Sequence, residues 1–512
     1  MRRGGAAVVV LACAAQFMVV LDVSVVNVAL PSIRAGLGFG AAGLPWVVNA
    51  YALPFAGFLL LGGRLADLYG RGRVFAAGLA LFTAASLAGG LATAPGVLVA
   101  ARAAQGLGAA VLAPATLTLL TAAIPEGPQR TRALAAWTAV GLAGGTAGNL
   151  VGGALTEFLS WRWVLLVNVP VGAAALAAAA AVIGPAGGRP GERRRLDVPG
   201  AAAVTAGLML LTFGATQARE RGWSDPFTLG VLAAAALVLA VFVLVEARTA
   251  AEPLVPARLL RARPVLVGNA AMLLAGACLN PMWFFLTLFM QDAMRYGSLR
   301  TGLGFLPHTL LTIAIGMRAT PWLMERVGGR TLIAAGALLS AAGFAWQAGA
   351  DPAAGYAGAL LGPAVLIAAG GGLLNTPLTA AVTAGAAPAD AGAASGLMNT
   401  AKQAGGALGL AVLVTLPGHG AAFLAMAALL PAVAALAAAL PRPHGPAGNS
   451  ARISSRRTSR RGRRLRPRGD RRPRRGPRHE EDRHEVPADD PDERRGVRGA
   501  RRGAPQRDHE RP

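Results

Sequence analysis

The 512-residue sequence contains little charge and almost no cysteine. Charged residues make up 14% of the chain, and the two cysteines, Cys13 and Cys278, each lie in an apolar run. Isolated thiols of this kind exclude a disulfide framework and a cysteine-based metal centre, so we expect two buried thiols. The low charge, combined with 54% hydrophobic residues and 67 glycines, excludes the composition of an ordinary soluble domain.

The motifs of nucleotide hydrolysis and of enzyme catalysis are also missing. No G-x-x-x-x-G-K-[ST] loop occurs, which argues against ATP as an energy source. Neither a set of metal ligands nor a nucleophile with a partner base stands at a recognisable spacing. We therefore expect a protein that is not an enzyme and that needs no cofactor.

Long apolar runs dominate what is present. A membrane-spanning helix needs about 20 mostly apolar residues, because its backbone amides find no water in the hydrocarbon core. The first run begins after Arg2 and Arg3 and continues past the small residues around Cys13 to Leu30 and Pro31. It is too long for the apolar part of a signal peptide, so we expect a retained first helix.

The apolar runs predict an all-α integral membrane protein. The predicted spans lie near 7–30, 44–63, 74–92, 96–120, 133–157, 163–184, 199–217, 227–246, 264–290, 299–317, 330–349, 354–376, 393–416 and 419–440. This gives fourteen spans, whose ends carry an uncertainty of several residues.

The arginines are divided unequally between alternate loops. One set of loops holds Arg64, Arg71, Arg73, Arg130, Arg132, Arg189, Arg193, Arg194, Arg195, Arg248, Arg258, Arg261, Arg263, Arg318, Arg326 and Arg330, and the other holds Arg34, Arg162, Arg219, Arg221, Arg295 and Arg300. Positively charged loops stay on the cytoplasmic side. We therefore expect a multi-pass protein of the cytoplasmic membrane with both termini inside, which twelve or fourteen spans would satisfy.

A charged loop between the second and third runs has a distinctive spacing, Gly63-x-Leu65-x-Asp67-x-x-Gly70-Arg71-x-Arg73. A weaker copy runs from Trp322 to Arg330. The loop resembles the cytoplasmic signature of the major facilitator superfamily. The members of that superfamily are secondary transporters, so the resemblance implies that this chain is a secondary transporter as well. The predicted cytoplasmic gate consists of Gly63, Asp67, Gly70, Arg71, Arg73, Glu325 and Arg326, whose charges can pair with opposing helix ends. The alternative is a solvated turn whose arginines only set topology.

Further motifs resemble the fourteen-helix drug:proton antiporters of that superfamily. They are LDVSVVNVALPSI at 21–33, WVVNAY at 46–51, RAAQGLG at 102–108, SWRW at 160–163, NVPVG at 168–172, ASGLMNT at 394–400 and QAGGALG at 403–409. The resemblance reaches about residue 440. Three departures stand out: Asn149 replaces a usual proline in the glycine-rich fifth span, Lys402 replaces a usual arginine, and the link at 417–420 is short.

The resemblance implies a major facilitator fold with parallel repeats. We expect a six-helix half at 1–184, a linker with two extra helices at 185–263 and a second six-helix half at 264–440. A substrate cavity is expected between the halves near the bilayer midplane. We expect a monomer in membrane lipid, powered by the proton gradient.

Asp22 and Arg102 are charged residues within predicted spans, and they carry the proposed proton coupling. An ionised Asp22 inside the bilayer costs several kcal/mol unless it has a partner or a proton. It is expected to bind and release a proton, and the resemblance gives Arg102 the coupling role. The alternatives are a permanently paired structural acid at Asp22 and a static donor to backbone carbonyls at Arg102.

Polar and aromatic residues within the spans are candidates for the cavity wall. The set is Asn27, Gln105, Asn149, Trp283, Phe285, Phe289, His308, Asn399, Lys402 and Gln403. Some aromatic members will face lipid or pack, and His308 can equally be a hydrogen-bonded structural histidine. Lys402 is the sole lysine, and because a buried lysine can lose its proton, it can alter coupling or serve only in a polar network.

The composition changes abruptly near residue 441, where 23 arginines and 11 acids follow with almost no apolar residue. We expect 441–512 to be a disordered cytoplasmic tail. A basic tail can attract anionic lipid, but without a nucleic-acid fold we expect no nucleic-acid partner. A shifted reading frame is a further explanation of this composition.

The function that best fits these features is proton-coupled export of lipophilic drugs, antibiotics or secondary metabolites, with small lipophilic substrates and protons as partners. A polar cavity without an apolar wall would instead favour a small endogenous metabolite, such as an amino acid or siderophore. A chain that moves no substrate would be a membrane sensor, a scaffold or a defective gene product. The sequence does not identify the substrate.

Overall fold

A computed structural model describes residues 3–125, 127–182, 198–248, 259, 261–384 and 391–440. Within these ranges all regular structure is helical and no strand occurs. The basic loop at 189–195 and the predicted disordered tail at 441–512 lie outside the described residues.

The described residues form eighteen α-helices. These are α1 (Arg3–Leu37), α2 (Trp46–Tyr69), α3 (Arg71–Gly90), α4 (Pro95–Ala123), α5 (Pro128–Phe158), α6 (Trp163–Leu166), α7 (Asn168–Val182), α8 (Val198–Arg221), α9 (Pro226–Arg248), α10 (Arg263–Leu279), α11 (Pro281–Leu288), α12 (Ser298–Gly304), α13 (Leu306–Ala314), α14 (Thr320–Val327), α15 (Gly329–Ala348), α16 (Gly362–Ala384), α17 (Ala391–Leu413) and α18 (Gly418–Ala439). Short π-helical segments at Phe289–Ala293, Ile315–Ala319 and Ala357–Leu361, and a 3₁₀ turn at Pro352–Ala354, extend or join them.

Ten helical segments in the described part are long and apolar enough to cross a membrane. They are Ala6–Leu37, Arg71–Gly90, Pro95–Ala123, Trp163–Ala181, Val198–Arg221, Pro226–Glu246, Arg263–Ala293, Gly329–Ala348, Ala357–Ala384 and Gly418–Ala439. The predicted spans near 44–63, 133–157, 299–317 and 393–416 are also helical, but they are not among these ten. The chain is thus a multi-pass membrane protein, whereas fourteen spans stay a prediction.

Several helix ends differ from the predicted ones. α2 continues to Tyr69, so Gly63 and Asp67 lie on its last turns and not in a loop. The helical path of the tenth predicted span continues beyond Arg318 to Val327, which places Glu325 and Arg326 on α14. Charge ends a hydrophobic run, but it does not end a helix, because backbone hydrogen bonding continues into the polar zone.

Proline marks where many of these helices begin. α4, α5, α10, α11, α13 and α14 each carry proline in the first turn. The first-turn N–H has no intrahelical partner in any helix, so proline costs no hydrogen bond there and presets the backbone angle.

Close contact between α1 and α5 depends on glycine. A Cβ atom at Gly152 would lie 2.7 Å from the Cα of Val25, and one at Gly148 would lie 2.9 Å from the carbonyl oxygen of Leu21. Small residues let helix backbones approach when neighbouring lipid provides no hydrophobic drive for association. This packing fixes the stretch of α1 that contains Asp22.

The predicted linker helices form an antiparallel pair. α8 packs against α9 and also contacts α2 and α17. An apolar cluster around Leu53 and Leu208 joins α2, α8 and α17, with Ala404 and Ala407 supplying the α17 side. These contacts attach α8 to the main bundle. The predicted boundaries at 184, 263 and 440 stay predictions.

Candidate functional site

A buried ion pair joins α1 to α4. The Nη1 atom of Arg102 lies 2.5 Å from Oδ2 of Asp22, and both side chains are almost wholly inaccessible to solvent. Removing one member of such a buried pair costs about 3–5 kcal/mol, because the other charge is left uncompensated. The separation between these residues could not be read from the sequence.

The remaining oxygen of the Asp22 carboxylate is also hydrogen-bonded. Its Oδ1 accepts from Nε2 of Gln105 at 3.1 Å and from Nδ2 of Asn168 at 2.9 Å. Gln105 Nε2 also donates to the hydroxyl of Ser86 at 2.6 Å. Helices α4 and α7 therefore meet α1 at one carboxylate, and α3 joins the network through Gln105. All its neighbours donate, which is the arrangement an ionised carboxylate requires.

Arg102 is held on its other sides by α2 and by its own helix. Its Nε donates to the carbonyl of Val47 at 3.1 Å, and its Nη1 also donates to Oε1 of Gln105 at 2.9 Å. The guanidinium carbon lies 4.5 Å from the ring centre of Tyr51. A cation over an aromatic face is stabilised by the ring quadrupole.

A cavity of about 220 Å³ lies beside this pair. It is lined by helices from the N-terminal part of the sequence and from the C-terminal part. Of the residues predicted for the wall, it is lined by Asn27, Asn149, Trp283 and Gln403, and Arg102 reaches it as well. Sequence reasoning missed Ser24, Asn49, Tyr51, Asn280 and Thr309, which also line the cavity, as does Phe284 next to Trp283. Asn49 and Tyr51 stand in the quoted WVVNAY motif, so a signal for them was available.

Several other predicted wall residues lie elsewhere. Gln105 belongs to the ion-pair network. Phe285 packs against Phe423 with ring centres 6.2 Å apart, and Phe289 lies 6.4 Å from His419. The 3.6-residue period of a helix turns these rings away from Trp283, which faces the cavity.

His308 lies behind the cavity wall. Its ring contacts Trp283 edge to face at 5.3 Å, and its Nδ1 lies 3.3 Å from the carbonyl oxygen of Ala364. It lines a separate small cavity together with Tyr356 and Gln347. These contacts match the alternative in which His308 is a hydrogen-bonded structural histidine.

The polar residues of α17 have different surroundings. Asn399 donates to the carbonyl of Ser395 in its own helix. Asn280 Nδ2 lies 3.2 Å from Oε1 of Gln403 and 3.4 Å from the carbonyl oxygen of Lys402. The Lys402 side chain is partly buried and does not line the cavity. Gln403 is thus the member of this group that meets the cavity.

Polar contacts close the end of the bundle that contains Arg34. The Nη2 of Arg34 lies 2.8 Å from Oδ1 of Asp292. Glu157 Oε2 accepts from the backbone N–H of Ser298 at 2.8 Å. Gln291 Nε2 donates to the carbonyl of Val28, also at 2.8 Å. Each contact joins α1 or α5 to the 291–298 segment, and none was predicted from the sequence.

The predicted gate residues lie at the opposite end. Gly70 links α2 to α3 with φ +92°, and Gly328 links α14 to α15 with φ +81°. Arg71, Arg73 and Glu325 are exposed. Exposed Arg326 stacks on the ring of Trp322 at 3.9 Å. Gly63 is partly buried, and the side chain of Asp67 lies outside the described part of the structure. Both links therefore have the same left-handed glycine geometry.

No group of three or more histidine, cysteine, aspartate or glutamate side chains suited to a metal occurs among the described residues. Cys278 is buried, as expected, whereas Cys13 is only partly buried. Fold and site together define a multi-pass membrane protein with a central cavity and a buried ion pair at its wall. The chain belongs to the Major Facilitator Superfamily, whose sequence profile matches residues 12–410.

Characterised relatives cover most of the chain. It is 56% identical over 445 residues to the cephamycin export protein CmcT of Amycolatopsis lactamdurans, covering 84% of this chain and 92% of the relative. It is 42% identical to the puromycin resistance protein pur8 of Streptomyces alboniger, covering 83% and 84%. The lincomycin resistance protein of Streptomyces lincolnensis is 36% identical, with coverage of 78% and 82%.

Solved structures share the fold at low sequence identity. The peptide transporter POT in complex with sulfate has a TM-score of 0.64 at 16% identity, covering 84% of this chain and 94% of its own. A mutant of the nucleoside transporter NupG has a TM-score of 0.58 at 14% identity, covering 85% and 100%. These similarities establish the all-helical transporter fold.

Proposed function

We propose that this protein is a proton-coupled exporter of antibiotics, drugs or secondary metabolites that works by alternating access. The observation that carries the proposal is the ion pair of Asp22 and Arg102, buried in the protein and bordering the central cavity. The cephamycin export protein and the two antibiotic resistance proteins support export as the direction of transport.

The ion pair offers a way to couple protons to substrate. When Asp22 is ionised, it holds Arg102 against α1 through a charge-assisted hydrogen bond. A proton on Asp22 removes that attraction and frees the guanidinium, which already reaches the cavity. Proton binding at Asp22 and substrate binding in the cavity then alternate, so the proton gradient drives export.

The cavity wall favours a partly lipophilic substrate over a small polar metabolite. Trp283, Phe284, Tyr51 and Leu410 supply apolar surface, and amide side chains supply a few polar positions. Binding pockets for drug-like molecules combine these two features. An amino acid or siderophore exporter would have a wall without this apolar part.

We further propose the fourteen-helix arrangement of the drug:proton antiporters. The ten apolar spans, together with the helices near 44–63, 133–157, 299–317 and 393–416, supply the required number. The matching conformations of Gly70 and Gly328 support two related halves at 1–184 and 264–440. α8 and α9 are then the linker pair within 185–263.

The same proposal assigns sides and partners. The arginine-rich loops support an arrangement in the cytoplasmic membrane with both termini and the Gly70 and Gly328 links on the cytoplasmic side. The Arg34 end then faces outward. In this arrangement Asp67, Arg71, Arg73, Glu325 and Arg326 form the cytoplasmic gate. The working unit is a monomer in lipid, with protons and the substrate as its partners.

The direct test is drug efflux under an imposed proton gradient. Inverted vesicles with wild-type protein are expected to accumulate a lipophilic dye only while the gradient lasts. Asp22→Asn keeps the side-chain shape but cannot carry the proton, so accumulation should fall to the level of empty vesicles. Asp225→Asn, a change in the α8–α9 turn, serves as the matched control.

Each other result has a defined meaning. Full gradient-driven accumulation by Asp22→Asn would place coupling on another acid. Absence of dye efflux by the wild type, with folded protein in the vesicles, would favour an exporter of a small endogenous metabolite, a sensor, a scaffold or a defective product.

A further inference from the structure

The central cavity contains polar groups that lack partners. The amide oxygens Oδ1 of Asn49 and Asn149 and the hydroxyl of Tyr51 are buried and make no hydrogen bond within the described part of the protein. All three residues line the cavity and are at least nine-tenths buried. A buried polar group without a partner costs about 1–3 kcal/mol, so these groups favour any occupant that satisfies them.

The orientation of one of these amides is fixed by its neighbours. Asn49 donates from Nδ2 to the carbonyl of Ala407 on α17 at 3.3 Å, which leaves Oδ1 as an acceptor. The Tyr51 ring lies under the Arg102 guanidinium, so its hydroxyl position is fixed as well. These amide oxygens lie in the cavity wall with almost no accessible surface, so a substrate reaches them with its N–H or O–H donors as the halves separate.

The charge of the wall also restricts the occupant. None of the described residues that line the cavity is acidic, and Arg102 brings a guanidinium to it. Asp22, the carboxylate that pairs with Arg102, is fully buried and already accepts hydrogen bonds from Arg102, Gln105 and Asn168. A cationic substrate would therefore meet no free carboxylate in the wall.

We propose that the central cavity recognises neutral or anionic molecules that donate hydrogen bonds from amide N–H or hydroxyl groups to Asn49, Asn149 and Tyr51, and that it selects against donor-free lipophilic cations. The inference rests on the proposed function, because it takes this cavity as the transport site. At about 220 Å³ the cavity is smaller than a typical drug pocket of about 300–1,000 Å³, so the halves must separate somewhat as the substrate enters.

The test is equilibrium binding to purified protein in detergent, which needs no proton gradient. Three probes are used: chloramphenicol, which is neutral and carries an amide N–H and hydroxyls; cefoxitin, which carries a carboxylate and an amide N–H; and tetraphenylphosphonium, a permanent cation without a donor. Chloramphenicol and cefoxitin are expected to bind more tightly than tetraphenylphosphonium. The reverse order, or no binding by either amide-bearing probe, overturns the proposal.

Matched variants test two of the three residues, Tyr51 and Asn149. Tyr51→Phe keeps the ring under Arg102 and removes the hydroxyl. Asn149→Leu replaces the amide with an apolar side chain of similar size. Each should raise the Kd of the better amide-bearing probe about 3- to 10-fold, the range for one lost hydrogen bond. Controls are Tyr296→Phe and Asn269→Leu, because the Tyr296 hydroxyl and the Asn269 Oδ1 are also buried without a partner, while neither residue lines the cavity.

The outcome separates this inference from the proposed function. Equal effects in the cavity and control variants, or unchanged Kd values in Tyr51→Phe and Asn149→Leu, contradict recognition by these groups. If binding follows the expected order while Asp22→Asn still exports, only the proton-coupling assignment fails. If Asp22→Asn abolishes export but tetraphenylphosphonium binds most tightly, only the recognition inference fails.

Discussion

The guanidinium of Arg102 balances the charge of Asp22 and also ties two helices together. Its Nη1 contacts Asp22 on α1, and its Nε donates to the carbonyl of Val47 on α2. A guanidinium presents five N–H donors in a fixed plane, whereas an ammonium is a point charge with a tetrahedral set. Charge and geometry can therefore be separated by substitution at this position.

Arg102→Lys keeps the positive charge and should still impair export. Lysine lacks the planar guanidinium that lets Arg102 contact Asp22, Gln105 and the Val47 carbonyl at once. We therefore expect gradient-driven efflux to fall at least about 10-fold. Thermal unfolding in detergent should change much less than for Arg102→Ala, which leaves Asp22 buried without a counter-charge. Arg300→Lys, at an exposed site, is the control. If Arg102→Lys exported at the wild-type rate, the positive charge at this position would be sufficient for coupling.

A double substitution separates stability from transport. Asp22→Asn with Arg102→Gln removes both charges together, so we expect it to recover most of the stability that Arg102→Ala loses, about 3–5 kcal/mol. Export should remain absent, because no group is left to carry the proton. The measurement is thermal unfolding and vesicle efflux on the same preparations, and recovery of export would contradict the proton role of Asp22.

Among the helices, the glycine links at residues 70 and 328 set how consecutive helices reverse direction. Gly328 has φ +81°, and a Cβ atom there would meet no neighbour within 4 Å. Any cost of a side chain at this position is therefore conformational and not steric. With ψ 151° as well, this backbone conformation is almost restricted to glycine and costs an L-residue about 1–3 kcal/mol.

Gly328→Ala should therefore destabilise the protein by about 1–3 kcal/mol. The matched control is Gly371→Ala within α16, where an added Cβ atom would also meet open space but φ is not positive. It should be neutral or slightly stabilising, since alanine favours a helix. Thermal unfolding of both variants in detergent is the measurement. Equal midpoints for the two would argue against the left-handed geometry at Gly328.

Across the molecule, an ion pair fastens the end that contains Arg34. Arg34 and Asp292 are 39% and 35% exposed, so their pairing is worth only about 0–1 kcal/mol. An energy of that size suits a contact that must break and re-form in every transport cycle. It can change the balance between two conformations without locking either one.

Arg34→Gln should therefore shift the protein modestly towards opening at that end. We expect the labelling rate of a cysteine introduced at Val26 to rise no more than about 5-fold, in a background where Cys13 and Cys278 are replaced by alanine. The charge exchange Arg34→Asp with Asp292→Arg should bring the rate back towards the starting value. If the labelling rate stayed high in the charge-exchanged protein, the Arg34–Asp292 ion pair would not be the contact that holds this end closed.

The arginine-rich tail should be dispensable for transport. The family profile ends at residue 410 and the last described helix ends at Ala439, so we expect a version that stops at Gly445 to fold and to export at the full-length rate. A version that stops at Leu413 lacks α18 and the buried Phe423 and Met426, and it should fail to fold. Size-exclusion profiles and vesicle efflux measure both. If the version that stops at Gly445 folded but did not export, the tail would have a function in transport.

The sequence by itself determined the class of this protein, because the chemistry of a membrane span is local. About 20 apolar residues in succession predict a membrane helix wherever they stand, and the spacing around Asp67 and Gly70 indicated the superfamily that the profile match confirms. Two charged residues in spans drew attention to Asp22 and Arg102 for the same reason, since a charge in hydrocarbon needs a partner.

Only the tertiary structure decided which residues meet. Asn168 and Ser86 join the Asp22 network from α7 and α3, far away in sequence, and Asp292 pairs with Arg34 across more than 250 residues. Helical rotation placed Trp283 in the cavity wall and Phe285 in packing, although the two residues are close neighbours in the sequence. Contacts of this kind depend on how whole helices cross and rotate, and a helix's own sequence fixes which residues share a face but not which neighbour that face will contact.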